Sequence, residues 1–325
     1  MRRLIKVCWA FSVALAIGPY AGPAFAQKWP EKPIHLIVPF GPGSFPDIVA
    51  RLLSQKMSEG LGQPVVVENR VGAGGNIGTE AVVRARPDGY TLLLNTVANA
   101  INKSLYRKLS FDPVKDLTPI SQIASVSNVL VVPASLNANS LPELLDLALK
   151  RRPGLSFASG GNGTTSHLAG QLLKSMAKIQ IEHVPYSNFN QALTDVMGGQ
   201  LDFVIPNLPP TIPHIKSGRL KALAVTGARR SHLLPDVPTF AEAGLSGYEV
   251  SSWNGLAAPA RTPPEIIARL HAEVVKALKD PEVAAKLAAQ GAEIIGSSPA
   301  EYGALIAAEA EKWRVVVNDA GAQID

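Results

Sequence analysis

Three short turns, rich in glycine and hydroxyl residues, carry the residue types with which this sequence could bind something. They are Gly41-Pro42-Gly43-Ser44, the segment 72–78 (GAGGNIG) and the segment 159–165 (SGGNGTT). Each follows a short apolar run and precedes a stretch whose apolar residues recur at helical spacing. Strand, glycine turn, helix is the layout in which backbone N–H groups at a helix N-terminus face an anion. Glycine lets the backbone approach closely and adopt positive φ, and Ser and Thr hydroxyls add donors. A tight connection needs the same glycines with no ligand at all, so one such turn alone is a weak signal. The nature of the anion is narrower. No Lys follows any of the three turns, which removes the P-loop pattern, and none completes the G-x-G-x-x-G dinucleotide fingerprint. Neutral N–H and hydroxyl donors suit a carboxylate as well as a phosphate.

Other chemistry is sparse. There is no G-x-S-x-G nucleophile elbow. His35, His167, His183, His214, His232 and His271 are scattered, without the H-E-x-x-H spacing of a metal site. His167 and His183 can approach the third turn and read as packed structural residues. Lys150-Arg151-Arg152 reads as a solvated helix end, and Trp253 and Trp313 as core.

The elements that must position the turns alternate. Strand signals lie at 33–38, 65–68, 91–94, 129–132, 155–158, 203–205 and 220–225, with helical patterns between most of them. This argues an α/β protein with mostly parallel sheets. Ser140-x-x-Glu143, Thr262-x-x-Glu265 and Ser298-x-x-Glu301 read as capping boxes with Pro just inside the helix. The last two open helices expected over roughly 263–290 and 299–318, making the C-terminal part all helical. No tandem repeat stands out. A chain of 325 residues suits two lobes better than one closed core. The crossings are expected near 129–133 and 251–259, giving 27–128 plus 250–325 as the first lobe and 129–249 as the second. A ligand cleft between lobes follows.

Composition bounds the class. With 46% hydrophobic and 18% charged residues, the chain is neither disordered nor a multi-span membrane protein. Residues 1–26 form a separate object. Arg2, Arg3 and Lys6 precede a short apolar run, and Ala24-Phe25-Ala26 fits a cleavage site, which reads as a secretory signal cleaved after Ala26. Three of the 31 basic residues and none of the 26 acidic ones lie in it, leaving a mature net charge of +2. A nucleic-acid partner loses most of its support. The single cysteine, Cys8, also lies there, so the mature chain has no disulfide, thiolate metal site or Cys nucleophile, which suits a periplasmic location.

The segments 37–51 (IVPFGPGSFPDIVAR), 66–78 (VVENRVGAGGNIG), 86–93 (RPDGYTLL), 183–186 (HVPY), 234–244 (LPDVPTFAEAG) and 255–263 (GLAAPARTP) together resemble the tripartite tricarboxylate transporter substrate-binding proteins, the Bug family. The resemblance runs from about residue 29 to the C-terminus. It implies a two-lobed periplasmic binding protein of type II that closes on a small carboxylate without cofactor or metal. It implies that the first and third turns hold the carboxylates and that 95–102 (NTVANAIN) lines the cleft. The implied ligand-binding residues are Phe40, Pro42, Gly43, Ser44, Phe45, Asn95, Thr96, Ser159, Gly160, Gly163, Thr164, Tyr186 and Asn207. It also implies inner-membrane transporter subunits as partners of a monomer. Two departures from the family pattern stand out. Ser44 and Phe45 stand where P-G-G-x-x-D is usual, and an aromatic there narrows the cleft or stacks on a flat ligand. Pro206 stands where relatives often carry an acidic or small polar residue, and it offers an amine neither a charge nor an N–H. The rival reading is a periplasmic hydrolase or isomerase on the same scaffold. It lacks a recognisable nucleophile–base pair in the sequence.

Overall fold

In chain order the elements are β1 (Ile34–Val38), α1 (Phe45–Leu61), β2 (Val65–Asn69), α2 (Asn76–Val83), β3 (Thr91–Thr96), α3 (Val97–Leu105), β4 (Leu117–Ser127), β5 (Val129–Pro133), α4 (Leu141–Lys150), β6 (Leu155–Ser159), α5 (Thr165–Ala177), β7 (Ile181–Pro185), α6 (Phe189–Met197), β8 (Phe203–Val204), α7 (Ile212–Lys216), β9 (Leu220–Val225), β10 (Ser251–Pro259), α8 (Pro264–Leu278), α9 (Pro281–Ala289), β11 (Ala292–Ile294) and α10 (Pro299–Ala320). The computed structural model describes residues 29–186 and 188–324. The expected signal and its cleavage point after Ala26 lie outside the described residues.

The strands form two sheets, ordered β11-β4-β10-β3-β1-β2 and β7-β6-β8-β5-β9. The α/β class is as expected, but the sheets are mixed rather than mostly parallel. Strand–helix–strand units build two parallel blocks, β2-β1-β3 and β7-β6-β8. Next to them β10 and β5 run antiparallel, and β4 and β9 pair antiparallel with those. The reason is how the chain arrives. A crossover helix returns a strand parallel, whereas β5 and β10 each enter from the other sheet, β5 after one residue and β10 after the segment 226–250. Both sheets therefore share one plan: a parallel block, then a strand contributed from the opposite side.

Local sequence explains most helix ends. Ser44 caps α1, Pro46 sits in its first turn, and Gly62 at φ 69° closes it. Along α1, Val49, Ala50, Leu53, Met57 and Leu61 face the core. The Ser298–Glu301 box is complete. Ser140 accepts the Glu143 N–H, while the Glu143 carboxylate takes the Asn139 N–H instead of closing the box. The expected Thr262 box does not form. The Thr262 hydroxyl donates to the Pro259 carbonyl, and Pro263 occupies the cap position. The helix expected over 263–290 is two helices, because Asp280 caps a new one and Pro281 has no N–H with which to continue the old. The C-terminal part is not all helical, since β11 pairs with β4.

The chain passes between sheets at Asn128 and again between Thr226 and Val250. Both Asn128 and Thr226 are fully buried. The Asn128 N–H donates to Thr226 Oγ1 at 2.8 Å, the Thr226 N–H donates back to the Asn128 carbonyl at 2.9 Å, and the Val250 N–H donates to the Thr226 carbonyl at 3.1 Å. A second tie is apolar. One continuous core runs from Ile101 and Leu105 of α3 through Tyr302 and Trp313 of α10 to Leu168 of α5 and Phe157 of β6. Among the described residues no helix is long and apolar enough to cross a membrane.

Candidate functional site

The first and third glycine turns are one device built twice. The segments 41–47 (GPGSFPD) and 161–167 (GNGTTSH) link β1 to α1 and β6 to α5. Gly43 and Gly163 have φ of 77° and 79°, values that favour glycine. Ser44 and Thr164 follow in matching extended conformation, with φ/ψ of −68°/157° and −69°/156°. Their N–H groups donate to the carbonyls of Gly41 and Gly161. Their hydroxyls accept the N–H groups of Asp47 and His167 at 3.4 and 3.3 Å. The Gly43 N–H donates to Asp47 Oδ2 at 2.9 Å, and the Gly163 N–H donates to His167 Nδ1 at 3.1 Å. This repeat is hidden in the sequence, because Asp and His correspond only as acceptors for a backbone N–H.

Each turn is braced from behind. Asp47 also accepts from Arg51 Nε at 3.0 Å and Asn69 Nδ2 at 2.9 Å, and Asn69 Nδ2 donates to the Phe40 carbonyl as well. Burial alone would raise the Asp47 pKa, but the bonds from Arg51, the Gly43 N–H and Asn69 outweigh it and hold the carboxyl below its ordinary value. Behind the third turn, burial and then the neighbouring His183 push the His167 pKa down to about 3. Burial pushes His183 down to about 4. The two rings stack with centroids 4.0 Å apart, and His183 Nε2 lies 2.7 Å from Ser159 Oγ. His167 Nδ1 accepts the Gly163 N–H, so its proton sits on Nε2. Gln171, 3.3 Å from that nitrogen, must then present its amide oxygen there.

With Gly43 and Gly163 bound inward, the first N–H groups of the helices are among the donors left at the turns. The Phe45 and Thr165 N–H groups make no hydrogen bond to any described residue. Helix N-termini of this kind favour negative charge.

A cavity of about 290 Å³ opens between these two helix starts. Phe40, Ser44, Phe45, Thr96, Gly163, Thr164 and Asn207 of the expected set line it, and so do Val97, Ala98, Ile101 and Asn102 of the segment implied to do so. Gly43 opens instead on an adjoining groove that shares Phe45 and Asn207 with the cleft. The other expected residues lie outside the cleft wall. Pro42 does not face it. Asn95 is fully buried where β3 meets β10. Ser159 is fully buried against His183. The Gly160 α-carbon looks onto Phe189. The Tyr186 hydroxyl donates to Asp195 Oδ2 at 2.7 Å.

The wall also holds Asn162 and Thr165 of the third turn, together with Gly74, Leu105, Tyr106, Ser252, Trp253 and Asn254, which the sequence did not single out as ligand contacts. The second glycine turn works by geometry. A Cβ on Gly74 would lie 3.0 Å from the Tyr106 hydroxyl, and one on Gly75 would press on Pro39 and Phe40. Asn102 Nδ2 donates to the Gly74 carbonyl at 2.9 Å, fixing the turn to α3. The two sides touch across the cleft. Ser252 Oγ donates to Asn207 Oδ1 at 2.8 Å, and a Cβ on Gly163 would lie 2.3 Å from Leu105 Cδ2. No residue lining the cleft is charged, and no group of described residues could hold a metal ion.

Residues 49–322 match the family described as Tripartite tricarboxylate transporter family receptor. The chain belongs to that receptor family. Protein BugT of Bordetella pertussis is 38% identical to it over 327 residues, covering 100% of this chain and 99% of BugT. Among solved structures of similar proteins, R. palustris Rpa4515 with adipate has a TM-score of 0.78 at 38% identity, covering 90% of this chain and 98% of its own. MatC (Rpa3494) from Rhodopseudomonas palustris, with bound malate, has a TM-score of 0.75 at 32% identity, covering 89% and 100%. The resemblance read from the six segments is thus borne out, as is the two-lobed α/β fold. The receptor family is one of periplasmic binding proteins.

Proposed function

We propose that this receptor is an exported, non-enzymatic solute-binding protein that captures a small organic carboxylate and delivers it to inner-membrane subunits of a tripartite tricarboxylate-type transporter. The observation that carries this is the pair of matching turns, each ending in a helix start with an unbonded first N–H, on either side of one cleft. Relatives with adipate and malate bound support the ligand class. Phe40, Ser44, Phe45, Thr96, Gly163, Thr164 and Asn207 make the contacts. Pro42, Gly43, Asn95, Ser159, Gly160 and Tyr186 hold the turns and strands behind them. The lobes are 27–128 with 250–325, and 129–249. The hydrogen-bonded knot of Asn128, Thr226 and Val250 lies at their junction and supports these limits. Contacts made across the closed cleft then draw the lobes together on ligand. The signal is removed after Ala26, and the mature protein acts in the periplasm as a monomer.

The rival hydrolase has a Ser–His pair to point to, since Ser159 Oγ and His183 Nε2 lie 2.7 Å apart. Ser159 is fully buried and outside the cleft, so no substrate reaches it. A thermal-shift screen over dicarboxylates, tricarboxylates and aromatic acids tests the proposal. A ligand at 100 times its Kd stabilises by about 2.7 kcal/mol. No shift with any acid would sink the binding reading, and turnover of the bound acid would favour the hydrolase.

A further inference from the structure

We propose that the cleft selects an aromatic carboxylate with a single ring, and that Phe45 is the residue that selects it. This rests on the carboxylate reading above and says what the rest of the ligand is. Much of the wall is apolar, although Thr96, Asn162 and Asn254 also lie on it. Phe40, Phe45, Ile101, Leu105 and Tyr106 face the cavity, and no charged side chain does. Several of the polar groups on the wall are already engaged. Asn102 donates to the Gly74 carbonyl and to Asn76 Oδ1, Ser252 donates to Asn207, and the Thr164 hydroxyl donates to the Gly161 carbonyl. A compact hydroxy-dicarboxylate enclosed here would bring polar groups out of water against carbon, and that costs free energy unless each finds a partner. A ring costs nothing of the kind and gains from aromatic neighbours.

Phe45 joins the two halves of the recognition. Its backbone N–H is the first of α1 and is unbonded, and the residue, partly buried against the core of the first sheet, also lines the cavity. One residue thus offers a donor to a carboxylate and a face to whatever carries it, which suits a carboxylate attached directly to a ring. Size follows from the same side chain. The cavity of about 290 Å³ is at the small end for ligand sites. Beyond Phe45 and Asn207 lies a second groove of about 450 Å³, and these two residues are the ones the two spaces share. Phe45 therefore stands as a partition that holds the ligand to one ring.

The experiment uses the mature protein, unfolded and refolded to strip any carried ligand. Titration calorimetry is run with benzoate, 2-naphthoate, malate and adipate against wild type, Phe45→Ala and Phe45→Leu. Benzoate is expected to bind wild type about tenfold or more tighter than malate, and naphthoate is expected to be excluded. Phe45→Ala should weaken benzoate by about tenfold and admit naphthoate, a gain that simple damage to the fold would not produce. Phe45→Leu should keep naphthoate out and unfold near the wild-type temperature, with benzoate weakened less. Malate or adipate binding as tightly as benzoate, with affinities indifferent to Phe45→Ala, would overturn the inference and leave the carboxylate reading intact. No binding of any of the four acids would overturn both.

Discussion

Replacing Gly163 by alanine probes whether the closed cleft is the bound state. Two effects separate in this substitution. Gly163 sits at φ 79°, where an L side chain is strained by about 1–2 kcal/mol whether or not the lobes touch. The new methyl would also lie 2.3 Å from Leu105 Cδ2, a contact between opposite sides of the cleft. Overpacking of that kind costs roughly 1–3 kcal/mol, and only when the two sides meet. The first effect lowers the unfolding temperature of the ligand-free protein. The second raises Kd by about 5- to 150-fold, at 1.4 kcal/mol per factor of ten. Gly43→Ala is the control, because its φ of 77° brings the same strain while its Cβ meets nothing within 4 Å. Calorimetric Kd and ligand-free unfolding temperature are measured for both variants and for Gly163→Ala combined with Leu105→Ala. The combined variant should lose further stability, since Leu105 is buried core, yet recover most of the lost affinity. Equal affinity losses in the two single variants, or no recovery in the combined one, would show that Leu105 and Gly163 do not meet in the bound state.

Acid should weaken the fold through the histidines behind the third turn. His167 and His183 have folded-state pKa values near 3 and 4, below the ordinary 6.5, so between those values and 6.5 the unfolded chain binds more protons and stability falls as pH falls. Asp47 adds a loss at lower pH, as its depressed carboxyl is protonated. Urea midpoints at pH 7 and 5 read the first effect, and His167→Asn, which keeps an acceptor for the Gly163 N–H, should flatten it; an unchanged slope would refute the assignment. No charged residue lines the cleft, so an α-amino acid should bind no tighter than its deaminated analogue in calorimetry, and the reverse order would require an acid that the cleft wall lacks. Mass spectrometry of protein from the periplasm should find Gln27 as the first residue, and a retained Met1 would remove the export proposal.

Much of the site's framework is legible in the sequence because it depends on local chemistry. Glycine followed by a hydroxyl residue announces a turn with a capped helix, and the first and third turns formed as such. What stays hidden is long-range. The strands β4 and β10 contain Pro, Gly and Ser residues that argue against central strands. They form because each is covered on both sides by the other parts of the sheet and its helices, a fact of tertiary packing. Consequently Ser252, Trp253 and Asn254 appear in the cleft wall only when β10 is placed beside β3. Leu105 and Tyr106 are missed for a related reason, since they end an ordinary amphipathic helix and only the fold turns that end toward Gly163. Conversely, Ser159 and Tyr186 sit in segments that look like ligand loops, yet their hydroxyls engage His183 and Asp195.

The position of β10 sets the order in which the molecule can be made. A chain emerging from its N-terminus produces β3 and β4 early, but the strand that lies between them is 251–259, and the helix that closes the core behind them begins at Pro299. Until those residues arrive, the first sheet has a gap in its middle and cannot complete its hydrogen bonding. Pairings of such large sequence separation also form slowly. The first half of the protein is thereby kept from setting into a finished lobe while the rest is still being synthesised. Under the export proposal, in which the chain is threaded unfolded across a membrane, this late-arriving strand would work as a built-in delay.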